Sequence, residues 1–207
     1  MNLINKIQYI SQGNSITEQI NNIRSAVDAG CNWVQLRYKN VIEPEVLHLA
    51  ELVKKSLEGY NCTFIVNDYP YVAKAIDADG IHLGLNDMLV DQARTILGYD
   101  KIIGGTANTL DDVLQRYEEE CDYVGLGPFR FTKTKEKLSP ILGLEGFTSI
   151  MQELQHRNII LPVYAIGGIQ QDDISSILTT GVHGVAVSGL VTFHPDKKEL
   201  FNQLHAL

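Results

Sequence analysis

The chain has few cysteines: Cys31, Cys62 and Cys121 stand isolated, odd in number and without CxxC spacing. That pattern argues against a disulfide-built scaffold or a thiolate zinc site, and for buried free thiols in a reducing compartment. No apolar run approaches the roughly 20 residues of a membrane span, and no signal-peptide pattern opens the sequence. The expectation is a cytoplasmic protein with no membrane partner. Positive charge is also scarce, with 17 Lys and Arg against 25 Asp and Glu and a formal charge of −8. Nonspecific nucleic-acid binding needs a basic face that displaces counterions, so no nucleic-acid partner is expected. An anionic ligand would need cations gathered locally. No linker, low-complexity tract or charge block divides the 207 residues, so 1–207 reads as a single domain able to bury a real core.

What the chain does have is alternation. Short apolar runs predict strands near 7–10, 33–37, 63–66, 80–83, 102–105, 123–126, 162–166 and 184–188. Between them, amphipathic stretches predict helices near 15–29, 43–58, 69–78, 89–97, 109–120, 144–155, 172–180 and 196–205. In the first, Ile16, Ile20, Ile23 and Val27 recur at helical spacing before Gly30. In the second, Pro44 lies near the start and Val46, Leu47, Ala50, Val53 and Leu57 form the buried stripe before Gly59. Eight such repeats predict an α/β fold, a single (β/α)8 TIM barrel, with a doubly wound open sheet as the alternative.

The apolar runs share a second property: nearly every one ends in residues able to do chemistry. In a barrel the active site is built from loops at the C-terminal ends of the strands, so one rim carries the function. Gln35, Arg37 and Lys39 are spaced by two and so predicted to share one side of the second strand, with Val34 and Leu36 on the other. A polar row facing a barrel interior is costly unless paired or occupied by a ligand. Arg offers a planar fork and Lys a compact charge, which together suit an anion with several oxygens. An interior ion pair is the other reading of the row. Asp68 and Asp87 close the next two strand ends, and neighbouring strands lie about 5 Å apart, so both could reach one point. Mg²⁺ is usually held by one or two carboxylates, with substrate phosphate and water completing its shell. Taken singly, each Asp reads as a helix N-cap; beside Arg37 and Lys39, the pair reads as a metal site.

The one long connection, 127–143, carries Thr132, Lys133, Thr134 and Lys135, a pattern that suits a flap closing over phosphate or, as readily, a soluble surface loop. Gly167-Gly168 and Ser188-Gly189 follow the seventh and eighth strands, where barrels often hold a monophosphate on backbone amides. Tight-turn glycine is the alternative there. Taken together, the arrangement implies a metal-assisted anion site near strands two to four and a monophosphate site near strands six to eight. His82, inside the fourth strand, reads as a hydrogen-bonded core residue rather than an acid or base.

These segments are where the chain resembles a known family. Gln35-Leu36-Arg37-Tyr38-Lys39, Asn67-Asp68, Asp79-Gly80-Ile81-His82-Leu83-Gly84 with Asp87, Thr132-Lys133-Thr134-Lys135 and Ala165-Ile166-Gly167-Gly168-Ile169 are similar to the thiamine-phosphate synthase pattern, in its order and across nearly the whole chain. The resemblance implies a barrel enzyme that joins 4-amino-2-methyl-5-hydroxymethylpyrimidine diphosphate to 4-methyl-5-(2-hydroxyethyl)thiazole phosphate. It assigns the pyrimidine diphosphate to Gln35, Leu36, Arg37, Tyr38, Lys39, Asn67, Thr106 and Lys135, and one Mg²⁺ to Asp68 and Asp87. The thiazole phosphate falls to Thr132, Lys133, Thr134, Gly168, Val187 and Ser188. The implied chemistry is a dissociative displacement in which Arg37, Lys39 and Lys135 stabilise the leaving diphosphate and no protein nucleophile is used.

The chain departs from the pattern at Thr106 (usually Ser), Asn108 (often His), Leu85 (often Gln) and in a last strand segment one residue shorter before Ser188. Two other functions are compatible with parts of the pattern: a thiazole tautomerase, which shares the barrel and monophosphate site, and a non-catalytic phosphate-ligand sensor. Partners are expected to be small phosphorylated substrates. Such barrels commonly pair, so a homodimer is the candidate assembly, although no residue marks an interface.

Overall fold

The structure is a computed structural model that describes residues 5–131 and 140–206. Its strands are β1 (Ile7–Ile10), β2 (Trp33–Leu36), β3 (Thr63–Asn67), β4 (Gly80–Leu83), β5 (Ile102–Ala107), β6 (Tyr123–Leu126), β7 (Val163–Ile166) and β8 (Gly184–Val187). Each pairs in parallel with its neighbour in chain order, and β8 returns to β1 with Ile7 opposite Val185 and Tyr9 opposite Val187. The sheet is therefore a closed (β/α)8 barrel, and the open doubly wound alternative is not the one adopted.

The helices among the described residues are α1 (Ile16–Asp28), α2 (Glu43–Ser56), α3 (Pro70–Ala75), α4 (Val90–Leu97), α5 (Leu110–Glu118), α6 (Gly143–His156), α7 (Ile174–Leu178), α8 (Gly189–Thr192) and α9 (Lys197–His205). Local chemistry fixes several starts. The Ser15 side chain accepts from the Glu18 amide at the head of α1, and Thr109 and Asp112 form a reciprocal capping box at α5. Three expectations need correction. The third helix is shorter than 69–78, because the Ala78 amide folds back onto the Ala73 carbonyl at 2.9 Å with Asp77 in the left-handed region at φ 51°. The seventh begins as a 3₁₀ turn over Gln171–Asp173 before α7. The one-turn α8 was not anticipated; four residues are too few to show a periodicity.

Side-chain alternation sorts the strands into two faces. Val34 and Leu36, Phe64 and Val66, and Ile81 and Leu83 face outward into the large core shared with the helices. Trp33, Ile65, Tyr123, Tyr164 and Ala186 form a separate cluster that fills the barrel. There Trp33 meets Tyr123 and Tyr164 edge-on, each with ring centroids 5.0 Å away. This packed plug closes the barrel beneath the mouth and leaves polar inward positions nearer the C-terminal strand ends. All three cysteines are free, and burial pushes the Cys31 and Cys121 thiols up to about 12. Cys31 and Cys121 are buried as expected, whereas Cys62 is half-buried.

Candidate active site

The C-terminal ends of β2, β3 and β4 bring the predicted polar residues together. Gln35 and Asn67 are buried at the ends of neighbouring strands, and Gln35 Nε2 donates to Asn67 Oδ1 at 2.7 Å. Gln35 Oε1 is also buried and has no partner among the described residues. An orphan acceptor is costly, so this atom is set to receive a donor from a ligand.

Regular strand geometry ends at Leu36, so Arg37 and Lys39 reach the rim from irregular backbone rather than from the strand itself. That backbone is held in place. The Arg37 amide donates to Ser11 Oγ at 3.0 Å, and its carbonyl accepts from Gln19 Nε2 at 3.2 Å. Burial holds the Arg37 guanidinium below its usual pKa, against the opposing pull of Asp68. Arg37 makes no ion pair among the described residues, whereas Lys39 Nζ lies 3.0 Å from Asp68 Oδ2. Of the family-implied contacts here, Leu36 turns its side chain into the outer core and Tyr38 packs against it. Only their backbones are left for the mouth.

Asp68 sits in the left-handed region at φ 68°, a conformation that Asp tolerates better than most residues. Its carboxyl is pushed up to about 6, first by burial and then by the neighbouring Asp87 carboxyl, while Lys39 opposes both. Asp87 is exposed, and its Oδ2 accepts from the Gly84 amide at 2.6 Å. The N-cap reading does not hold for either residue, since α3 is capped at Tyr69 and α4 at Leu89. Two neighbouring carboxylates, with one ammonium on Asp68, make a local excess of negative charge. A divalent cation would relieve it. No group of three or more His, Cys, Asp or Glu side chains able to hold a metal exists among the described residues, so these two carboxylates would make only part of a cation's shell.

At the end of β5, Thr106 Oγ1 lies 3.0 Å from His82 Nε2. His82 is buried and hydrogen-bonded, as expected of a core residue. Asn108 is buried and donates its amide to the Gly127 carbonyl, which anchors the start of the long connection. One residue escaped the sequence reading. Arg116 of α5 is buried and donates from Nε to the Thr106 carbonyl at 3.2 Å and from Nη2 to the Gly84 carbonyl at 3.0 Å. It thus braces the backbone beside Thr106 and Asp87. An arginine three residues after Val113, on the buried stripe of α5, was the available signal.

The far side of the mouth is built differently. Gly167 and Gly168 lie at φ 94° and 72°, a turn that other residues enter only with strain. The base of the 127–143 connection docks on it: the Phe129 amide donates to the Ile166 carbonyl at 2.8 Å and the Arg130 amide to the Gly167 carbonyl at 3.0 Å. The Arg130 guanidinium reaches the Gly168 carbonyl at 2.9 Å and grips both oxygens of Asp173 at 2.8 Å. Val187 turns its side chain into the outer core, and Ser188 precedes α8 with its hydroxyl 3.3 Å from Gln12 Oε1. Thr132, Lys133, Thr134 and Lys135 lie outside the described residues.

Comparison with known proteins fits this geometry. The family described as thiamine monophosphate synthase matches residues 7–191. A thiamine-phosphate synthase of Flavobacterium johnsoniae is 55% identical over 203 residues, covering 98% of this chain and 96% of its own. A thiamine phosphate pyrophosphorylase structure from Pyrococcus furiosus superposes with a TM-score of 0.83 at 30% identity, covering 97% of this chain and 94% of that one. No helix among the described residues is long and apolar enough to cross a membrane.

Proposed function

The chain belongs to the thiamine monophosphate synthase family, and on that premise we propose how its residues divide the work of a transferase. The reaction joins the pyrimidine diphosphate to the thiazole phosphate and releases thiamine phosphate and diphosphate. The observation that carries the reading is the meeting of Lys39 with Asp68 at 3.0 Å, beside Asp87 and with Arg37 within the field of Asp68. Cations and carboxylates in one small space suit a diphosphate bound with a divalent metal.

In this reading Asp68 and Asp87 hold Mg²⁺, which when bound would neutralise charge on the leaving diphosphate. Arg37, Lys39 and Lys135 share that task from the protein side, in a site where excluded water makes each contact count for more. Gln35 offers its orphan Oε1 to the pyrimidine amino group, and Asn67 holds Gln35 in place. Leu36 and Tyr38 contribute backbone, and Thr106 a hydroxyl. The thiazole phosphate is taken by Thr132, Lys133, Thr134, Gly168, Val187 and Ser188. With no protein nucleophile required, the side chains bind, orient and exclude water. The working unit is one barrel domain over 1–207, in the cytoplasm, with small phosphorylated substrates as its partners and a homodimer as its assembly.

Purified protein supplied with both substrates and Mg²⁺ should form thiamine phosphate and release diphosphate in equal amounts. Absence of both products overturns the reading. The tautomerase alternative predicts turnover of a thiazole carboxylate phosphate without any pyrimidine substrate. The sensor alternative predicts binding without product in either assay.

A further inference from the structure

Beneath the mouth, four strands contribute a chain of polar side chains of which the proposed binding uses only the last, Thr106. Gln8 Nε2 donates to the Tyr123 hydroxyl at 3.1 Å, that hydroxyl lies 3.0 Å from His82 Nδ1, and His82 Nε2 lies 3.0 Å from Thr106 Oγ1. Gln8, Tyr123 and His82 are buried, and Thr106 is half-buried at the rim. Two glycines make the space for it. A Cβ on Gly104 would fall 2.1 Å from Tyr123 Cζ, and one on Gly125 would fall 3.2 Å from His82 Cε1.

Proton counting fixes the direction of this chain. A phenol has one proton, and the Tyr123 oxygen already accepts from Gln8. Burial holds the phenol above its usual pKa, so the proton stays on Tyr123. The other hydrogen-bond partner of this hydroxyl is His82 Nδ1. Leaving a buried phenol proton without an acceptor is costly, so the proton points at Nδ1. Nδ1 is then the bare nitrogen, and the imidazole carries its own proton on Nε2. That proton is donated to Thr106 Oγ1, which frees the threonine hydrogen to point into the mouth.

We infer that His82, fixed in its Nε2–H tautomer by Tyr123, is a positioning residue that makes Thr106 a hydrogen-bond donor to the bound substrate. The complementary substrate atom is an acceptor, an aromatic ring nitrogen or a phosphoryl oxygen, and not an amino group. With the opposite tautomer Thr106 would spend its hydrogen on His82 and offer the ligand only lone pairs. The identity of the ligand rests on the proposed function; the tautomer does not.

The test begins with the whole protein labelled with ¹⁵N-histidine. His82 signals are identified by their loss in His82→Gln and, independently, by their shift in Thr106→Ser. The expected spectrum has an unprotonated Nδ1 and a protonated Nε2. Tyr123→Phe keeps the ring that packs 5.0 Å from Trp33 and removes only the hydroxyl. In that variant the two nitrogen shifts should move toward each other as tautomers mix. KM for the pyrimidine diphosphate should rise about three- to tenfold with KM for the thiazole phosphate unmoved. Thr106→Val should show the same selective loss, and Thr106→Ser, which restores the hydroxyl, should recover it. A proton on Nδ1 in the wild type, unchanged His82 signals in Tyr123→Phe, or an unchanged KM in Thr106→Val would each overturn the inference. The spectrum needs no turnover, so it can fail while the activity stands, and the activity can fail while it stands.

Discussion

Around β2 to β4 the mouth is lined by charged side chains: Arg37 and Lys39 from one strand end, Asp68 and Asp87 from the next two. Around β6 to β8 the described residues line it with backbone: a left-handed glycine turn, a docked loop base and the head of a four-residue helix. The first half concentrates charge in a partly buried place, and the Asp68 carboxyl is raised to about 6, first by burial and then by its Asp87 neighbour. Among the described residues the second half meets its polar groups internally, with the Arg130–Asp173 ion pair serving to hold the loop base. The side-chain half should be fragile to single substitutions and insensitive to backbone change, and the backbone half the reverse.

The largest effect should come from the carboxylates. Asp68→Asn or Asp87→Ala is expected to lower kcat/KM by about a thousandfold in a steady-state assay. The melting temperature of Asp68→Asn should hold or rise slightly, since Asn also tolerates the left-handed backbone and the substitution removes repulsion with Asp87. Removing Mg²⁺ with a chelator should abolish turnover and diphosphate binding but leave calorimetric binding of the thiazole phosphate intact. Equal loss at both sites would erase the distinction between the two halves. Next is Arg37→Ala, expected to cost roughly a hundredfold in kcat/KM, as the proposed leaving-group site loses a half-buried cation that makes no ion pair among the described residues.

On the other side, Arg130→Ala frees the loop base from Gly168 and Asp173. It should raise KM for the thiazole phosphate roughly three- to tenfold, with little change for the pyrimidine diphosphate. Smallest of all is Ser188→Ala, expected to change that KM at most about threefold if main-chain amides rather than the hydroxyl meet the phosphate. A hundredfold loss there would show that the second half also depends on side chains.

The same contrast explains what could be read from the sequence. Apolar runs at regular intervals give the barrel because strand and helix periodicities differ, and closure leaves one rim for function. Arg37, Lys39, Asp68 and Asp87 were legible because charge at the end of an apolar strand is expensive and so conspicuous. Their assembly was legible only in outline: Lys39 reaches Asp68 from irregular backbone beyond β2, and neither aspartate caps a helix. Arg116 was hidden because an arginine on a helix is ordinarily solvated, and only its place on the buried stripe marks it. Tyr123 and Gln8 carried no signal of their own; the bonds from Gln8 to Tyr123 and from Tyr123 to His82 span 115 and 41 residues of sequence. No local pattern encodes contacts of that range. The backbone half was least legible of all, because amides and carbonyls belong to every residue and only the Gly167-Gly168 pair signals their use.

The most direct measurement is anomalous diffraction from crystals grown with Mn²⁺ in place of Mg²⁺ and inorganic diphosphate. The expected result is a metal peak ligated by Asp68 and Asp87, with diphosphate oxygens on the metal and on Arg37 and Lys39. A metal bound elsewhere, or diphosphate seated on Gly168 and Ser188 with the aspartates untouched, would contradict it.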